Sequence, residues 1–124
     1  MSLVEQSTAK DRLVLVVEDN PLTLDALVSA LSDEGYRVSR AVDGMDAIGE
    51  VQQEVPDLVI ADVHMPRMSG GQLVRRLRKW NVPVILLSAD TNWSRTAGVV
   101  FVPKPFDLDH LLEVVAHLLD DRNE

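Results

Sequence analysis

The chain of 124 residues contains no cysteine. This absence excludes disulfide bonds and thiolate metal sites, and nothing in the sequence indicates an oxidising compartment. No apolar run approaches the roughly 20 residues that cross a bilayer, and the polar stretch at residues 1–12 lacks the apolar middle of a signal peptide. We therefore expect a cytoplasmic protein that does not insert into a membrane.

Positive charge is also scarce. The chain has 12 Lys and Arg against 20 Asp and Glu, a net charge of −8. Its one dense basic group, Arg75, Arg76, Arg78 and Lys79, lies on a single predicted helix. Because binding a phosphate backbone requires a basic stripe, we expect no direct nucleic-acid binding by this domain.

The length and composition predict one domain. A chain of this size with 46% hydrophobic residues can bury one core without disulfides, and no repeat or linker interrupts it. We predict a domain over residues 12–120, a flexible N-terminal tail at residues 1–11 and a C-terminal tail at residues 121–124. We expect a monomer or a weak homodimer.

Short apolar segments alternate with amphipathic stripes along the whole chain. The apolar segments at residues 13–17, 36–41, 58–61, 84–87 and 99–102 are predicted to be strands. Alternation of this kind, with right-handed crossovers, favours a parallel sheet covered by helices on both faces. We predict an α/β fold, a flavodoxin-like three-layer sandwich with five strands in the order 2-1-3-4-5.

Local signals predict where helices begin and end. Asn20 before Pro21 is typical of a helix start, Gly35 of a helix end, and Asp107 is predicted to cap the last helix. Only residues 88–98 separate strands four and five, close to the minimum of about a dozen residues for a parallel crossover. We therefore predict a short or irregular fourth helix there.

Polar residues follow four of the five predicted strands. Glu18 and Asp19 follow strand one, Asp62 follows strand three, Ser88 follows strand four, and Lys104 comes just after strand five. The carboxyl ends of parallel strands meet at one edge of a sheet, which is where ligands bind in such folds. We expect these side chains to form one site.

Three clustered carboxylates require compensation by positive charge. Two like charges ~4 Å apart repel by about 4 kcal/mol at an effective dielectric constant near 20, so Lys104 alone is not enough. Oxygen ligands suit a hard divalent cation, and we predict Mg²⁺, with Mn²⁺ able to substitute. A carboxylate beside Mg²⁺ and a lysine can attack a phosphoryl group to give an acyl phosphate, and Asp62 is placed for this.

The residues that follow the strands form an ordered set of motifs. The set comprises Glu18-Asp19, Asp62, residues 65–70 (Met-Pro-Arg-Met-Ser-Gly), Ser88-Ala89 and Lys104-Pro105-Phe106. With these motifs, the chain resembles the receiver domains of two-component response regulators over roughly Leu13 to Leu119. The resemblance implies that Asp62 accepts a phosphoryl group from a sensor histidine kinase or a histidine phosphotransfer protein.

The resemblance also implies how the metal is held. Asp19 and Asp62 would bind Mg²⁺ directly, Glu18 would act largely through water, and the backbone carbonyl of His64 would complete the protein ligands.

Further residues would contact the phosphoryl group itself. By the same resemblance, Lys104 pairs with the phosphoryl oxygens, the Ser88 hydroxyl and the Ala89 N–H donate hydrogen bonds to them, and the Lys104–Pro105 bond is cis. Such a domain assists its own phosphorylation and dephosphorylation but is not an independent enzyme.

The resemblance further implies a conformational switch. The new phosphate draws Ser88 inward, and Phe101 on strand five turns into the vacated space. The family usually has Tyr or another aromatic residue there, and Phe lacks the hydroxyl. Together with the short fourth segment, this predicts an atypical output to a downstream effector that the sequence does not name.

Three alternatives remain at this point. A receiver-like interaction module would share these motifs without accepting phosphate. A phosphatase of the haloacid-dehalogenase type also uses an Asp nucleophile, but it requires a second Asp where this chain has His64. A flavodoxin-like flavin carrier requires a Ser/Thr/Gly-rich phosphate loop where this chain has the acidic pair Glu18-Asp19.

Overall fold

The fold was analysed in a computed structural model, which describes residues 11–89 and 98–121 of the chain. The predicted fourth helix falls on residues 90–97 and therefore lies outside the described residues, as does nearly all of the predicted N-terminal tail.

The described residues form strands and helices in alternation, as predicted. The strands are β1 (Leu13–Val17), β2 (Arg37–Ala41), β3 (Leu58–Asp62), β4 (Val84–Ser88) and β5 (Val99–Pro103). The helices are α1 (Pro21–Asp33), α2 (Gly44–Gln53), α3 (Gly70–Leu77), which continues into a 3₁₀ turn at Arg78–Trp80, and α4 (Leu108–Asp121). Across the described ranges, no helix has the length and apolar character needed to cross a membrane.

The sheet is parallel throughout and has the order β2-β1-β3-β4-β5, which confirms the predicted topology. β1 and β3 are neighbours in register, with Val17 opposite Ala61. The residues that follow these two, Glu18 and Asp62, therefore lie side by side at the carboxyl edge. The chain order reverses between β1 and β3, the position where open α/β sheets bind their ligands.

Two apolar cores lie on opposite faces of the sheet, which gives the predicted three layers. Side chains of a strand alternate between the two faces, so neighbouring residues enter different cores. One core, including Val14, Ile60 and Ile85, packs under α1 and α4, whose buried residues are Leu24, Leu27, Leu31, Leu111, Val115 and Leu119. The other, including Leu15 and Val59, packs under α2 and α3, whose buried residues are Ala47, Val51, Leu73 and Leu77.

Helix ends follow the signals in the sequence. The Asn20 side chain accepts the N–H groups of Leu22 and Thr23, at 3.0 and 3.1 Å, and so caps α1. Gly35 follows the end of α1 with φ +97°, in the left-handed region that glycine adopts without a Cβ clash. The Asp107 side chain accepts the N–H of Asp109 at 2.9 Å where α4 begins.

Candidate functional site

Three carboxylates meet at the carboxyl edge of the sheet. Ligand oxygens of Glu18, Asp19 and Asp62 lie within 4.8 Å of one another. Glu18 and Asp62 are buried, with 3% and 6% of their surface exposed, whereas Asp19 is exposed. The convergence results from the parallel register of β1 and β3, because each acidic residue follows the apolar part of its strand.

The ammonium group of Lys104 pairs directly with Asp62. Lys104 Nζ lies 2.8 Å from Asp62 Oδ2. The lysine backbone is fixed next to β4, since its N–H donates to the Ser88 carbonyl at 2.8 Å. The Lys104–Pro105 bond is cis, as the resemblance implies.

The second oxygen of Asp62 is held by the loop that follows β3. The backbone N–H of His64 donates to Asp62 Oδ1 at 3.1 Å, while the imidazole of His64 is exposed. Asp62 thus accepts one hydrogen bond from an ammonium group and one from the backbone. These contacts fix the orientation of its carboxylate.

Glu18 is the least satisfied member of the acidic cluster. Its Oε2 accepts the N–H of Asn20 at 3.0 Å, but its buried Oε1 has no hydrogen-bond partner among the described residues. Burial raises the pKa of Glu18 above its usual value, against the opposing effect of the Asn20 N–H, and the nearby charge of Asp62 raises it further.

A divalent cation fits this group of residues. A buried, unpartnered carboxylate oxygen is costly, and a cation among three carboxylates would offset both this cost and their mutual repulsion. The donors are oxygens only, as Mg²⁺ and Mn²⁺ prefer.

The residues predicted to contact the phosphoryl group or to switch lie on the two neighbouring strands. Ser88 ends β4 and is 2% exposed, and Ala89 after it is exposed. Phe101 on β5 lies opposite Leu86 of β4 and is half-buried against the core under α3. Both strands lead to the acidic edge, but the hydrogen-bonding and switching roles of these residues stay predictions.

The corner after β2 contains a buried carboxylate that the sequence did not single out. Asp43 is 3% exposed and caps α2, because its Oδ1 accepts the N–H of Asp46 at 2.8 Å. Its Oδ2 accepts a hydrogen bond from the guanidinium of Arg67, in the loop after β3. Asp43-Gly44 before an amphipathic stripe is a recognisable cap signal, but no sequence signal pairs Asp43 with a residue 24 positions away.

Comparisons with known proteins agree with this geometry. The sequence model of the response regulator receiver domain matches residues 14–116, within the predicted domain. Response regulator MprA of Mycobacterium sp. strain KMS is 37% identical over 114 residues, which cover 86% of this chain and 50% of that protein. The chain thus spans about half the length of the curated relatives it matches.

Solved receiver domains have the same fold. The receiver domain of the hybrid histidine kinase CckA superposes with a TM-score of 0.77 at 32% identity, covering 86% of this chain and 98% of that one. The receiver domain of the Francisella response regulator 1452 gives a TM-score of 0.81 at 28% identity, with coverages of 92% and 100%. The chain belongs to the response regulator receiver domain family, whose members are phospho-accepting receivers of two-component signalling.

Proposed function

We propose that Asp62 is the residue of this receiver that takes the phosphoryl group, from a phosphohistidine on a sensor histidine kinase or a histidine phosphotransfer protein. The observation that carries the proposal is the placement of Asp62. Its carboxylate is held by Lys104 Nζ at 2.8 Å and by the His64 N–H at 3.1 Å, next to Glu18 and Asp19. No other carboxylate in the described ranges combines a lysine contact with this acidic cluster.

The transfer exchanges one bond for another at phosphorus. A carboxylate oxygen of Asp62 forms a bond to phosphorus while the phosphorus–nitrogen bond of the phosphohistidine breaks. The electron pair leaves with the imidazole nitrogen, and the product on Asp62 is an acyl phosphate. Because Lys104 already contacts Asp62, its ammonium group lies where it can pair with the transferred phosphoryl oxygens.

Other residues of the edge complete the site in this proposal. The Ser88 hydroxyl and the Ala89 N–H donate hydrogen bonds to the phosphoryl oxygens. Asp19, Asp62 and the His64 carbonyl would hold Mg²⁺ or Mn²⁺ directly, and Glu18 would act through water. When bound, the cation supplies positive charge that offsets the charge of the phosphoryl oxygens.

The conformational change in this proposal begins at the same site. We propose that the phosphate on Asp62 draws Ser88 towards it and that Phe101 then turns inward, which changes the β4–β5 face. Phe101 is half-buried and lies on β5, an edge strand of the sheet, next to β4 and Ser88. The domain acts as a phosphoacceptor and not as an independent enzyme.

The test of the proposal is direct phosphorylation of the chain with Mg²⁺ and acetyl phosphate, followed by intact mass spectrometry. We expect one phosphoryl adduct on the parent and none on Asp62→Asn. Asp25→Asn, which alters an exposed carboxylate on α1 (Pro21–Asp33), serves as the matched control and should keep the adduct.

Two results would contradict the proposal. An adduct that persists in Asp62→Asn would place the phosphate on another residue. A parent that forms no adduct, and that binds no beryllofluoride in the presence of Mg²⁺, would favour an interaction module that does not accept phosphate.

A further inference from the structure

The loop after β3, residues 63–69, carries part of the site. Its His64 N–H donates to Asp62 Oδ1, so the conformation of the loop sets the orientation of that carboxylate. The loop is closed at its base, where the N–H of Gly70 donates to the Val63 carbonyl at 2.8 Å. Its far side contains Arg67 and Met68.

Arg67 occupies an unfavourable backbone conformation. Its φ is +69°, in the left-handed region where a side chain crowds the backbone. Glycine would adopt this conformation more readily. An arginine at this position therefore requires a compensating contact.

Asp43 provides that contact from another part of the fold. The guanidinium of Arg67 donates to Asp43 Oδ2. The Asp43 side chain is 4% exposed and that of Arg67 is 69% exposed, so the arginine lies on the surface and binds a buried carboxylate. Asp43 is itself fixed, because its other oxygen caps α2. The Asp46 N–H, and after it the Arg67 guanidinium, holds the pKa of Asp43 below its usual value.

The neighbouring residues make a second contact between the same two segments. Met68 is 5% exposed and packs directly on Gly44, where an added Cβ would lie 2.6 Å from Met68 Sδ and 2.7 Å from Met68 Cβ. Arg67 and Met68 are thus anchored on Asp43 and Gly44. The loop beside Asp62 is fixed to the start of α2 by one ionic and one apolar contact.

We infer that Arg67 is a positioning residue for the phosphorylation site. Through Asp43 it holds the loop so that the His64 backbone stays aligned with Asp62, although Arg67 touches neither the cation nor the phosphoryl group. The inference rests on the proposed roles of Asp62 and His64. It predicts that the Arg67–Asp43 pair controls cation affinity and the rate of phosphorylation.

The experiment uses the full chain and compares the parent with Arg67→Ala. Alanine removes the guanidinium but keeps a Cβ at the positive φ, so the loop loses its ionic contact with Asp43 and keeps the unfavourable backbone conformation. The contact of Met68 with Gly44 remains, so the variant should still fold, which urea denaturation checks. We expect Mn²⁺ affinity, measured from the electron paramagnetic resonance signal of free Mn²⁺, to fall about 10-fold, as is typical when an outer contact of a metal site is lost. Adduct formation at saturating Mg²⁺ should also slow.

The sign of the effect separates positioning from charge. Removing a positive charge by itself would tighten the binding of a cation, whereas loss of positioning weakens it. Arg40→Ala is the matched control, because it breaks an Arg–Asp pair to Asp25 of 2.7 Å, away from the loop. Its Mn²⁺ affinity should equal that of the parent or exceed it slightly.

A second variant changes Asp43, the other residue of the pair. Asp43→Asn keeps a good cap for α2 but removes the charge that binds Arg67. We expect it to weaken Mn²⁺ binding about as much as Arg67→Ala, with little further loss in the double variant.

The results that would overturn this inference differ from those that would contradict the proposed role of Asp62. Parental Mn²⁺ affinity in either Arg67→Ala or Asp43→Asn would overturn the inference, as would equal weakening in Arg40→Ala. Failure of the proposed function shows instead as a parent without an adduct on Asp62, whatever the Mn²⁺ affinities are.

Discussion

Among single residues, Asp62 accepts hydrogen bonds from two donors and also lies close to two other carboxylates. Lys104 binds its Oδ2 and the His64 N–H binds its Oδ1, while Glu18 and Asp19 add negative charge nearby. Lys104 therefore neutralises the cluster in part, but it also occupies an oxygen close to the place where a cation would bind.

Replacement of Lys104 by methionine separates these two effects. Lys104→Met keeps an apolar stem of similar length and removes the ammonium group. We expect adduct formation with acetyl phosphate to slow about 10²-fold, because one preorganised charge next to the transferred oxygens is lost. Mn²⁺ binding should tighten in the same variant, since a competing positive charge is gone.

The measurements are the rate of mass increase and a Mn²⁺ titration. Lys79→Met, which removes an exposed ammonium over the Trp80 ring, is a control that should change neither. An unchanged rate in Lys104→Met would contradict the role of Lys104 in transfer.

Among the helices, the first turn of α3 packs closely against the backbone of Asp62 and Val63. Ser69 and Gln72 form reciprocal side-chain-to-backbone caps there, which fix the first turn of the helix. A Cβ at Gly70 would lie 2.9 Å from Val63 Cα, 3.0 Å from the Asp62 carbonyl oxygen and 3.0 Å from Leu86 Cδ2. Two of these atoms belong to the backbone of the site and cannot move independently of it.

Two glycine-to-alanine substitutions should therefore have opposite effects on stability. We expect Gly70→Ala to lower the free energy of unfolding by about 1–3 kcal/mol, because the added methyl group overpacks the start of α3. Gly49 lies within α2, and apart from its chain neighbours and the nearby helix backbone no atom of the described residues lies within 4 Å of a Cβ added there. Gly49→Ala should raise the free energy of unfolding by about 0.5–1 kcal/mol through helix propensity.

Urea denaturation measures both changes. Because Gly70 also adjoins Asp62, Gly70→Ala should slow phosphorylation, whereas Gly49→Ala should not. If the two substitutions changed the free energy of unfolding equally, the result would contradict the overpacking predicted at Gly70.

At the scale of the whole molecule, the net charge of −8 and the buried acidic cluster act together. Any salt screens the overall charge, but a cation bound at the cluster provides an ionic partner for Glu18 and a second one for Asp62, beside Lys104. Stability should therefore depend on the kind of cation and not only on ionic strength.

Magnesium should stabilise the fold beyond the effect of screening. At a Mg²⁺ concentration about 100 times its dissociation constant, we expect the free energy of unfolding to rise by about 2.7 kcal/mol relative to NaCl of equal ionic strength. Urea titrations in the two salts measure this difference. The difference should largely disappear in Asp19→Asn, and equal effects of the two salts on the parent would argue against a specific site.

The order of the described strands and helices and the topology of the sheet could be predicted from the amino-acid sequence. Hydrophobic periodicity is a local property, so the strands and the Asn20 cap could be predicted from neighbouring residues. The handedness of parallel crossovers then left few arrangements for five strands. Because polar residues follow these strands, the approach of Glu18, Asp19, Asp62 and Lys104 to one edge was also predictable.

How tightly these groups are held depends on the tertiary structure. Three features require separate segments to pack together: the buried Oε1 of Glu18, which has no partner among the described residues, the backbone approach at Gly70, and the pairing of Arg67 with Asp43. Such contacts depend on distances of a few tenths of an ångström between packed elements, which residue spacing along the chain does not encode. The grouping of the polar side chains at one edge could therefore be predicted from the sequence, whereas the contact of the loop with the corner after β2 could be seen only in the fold.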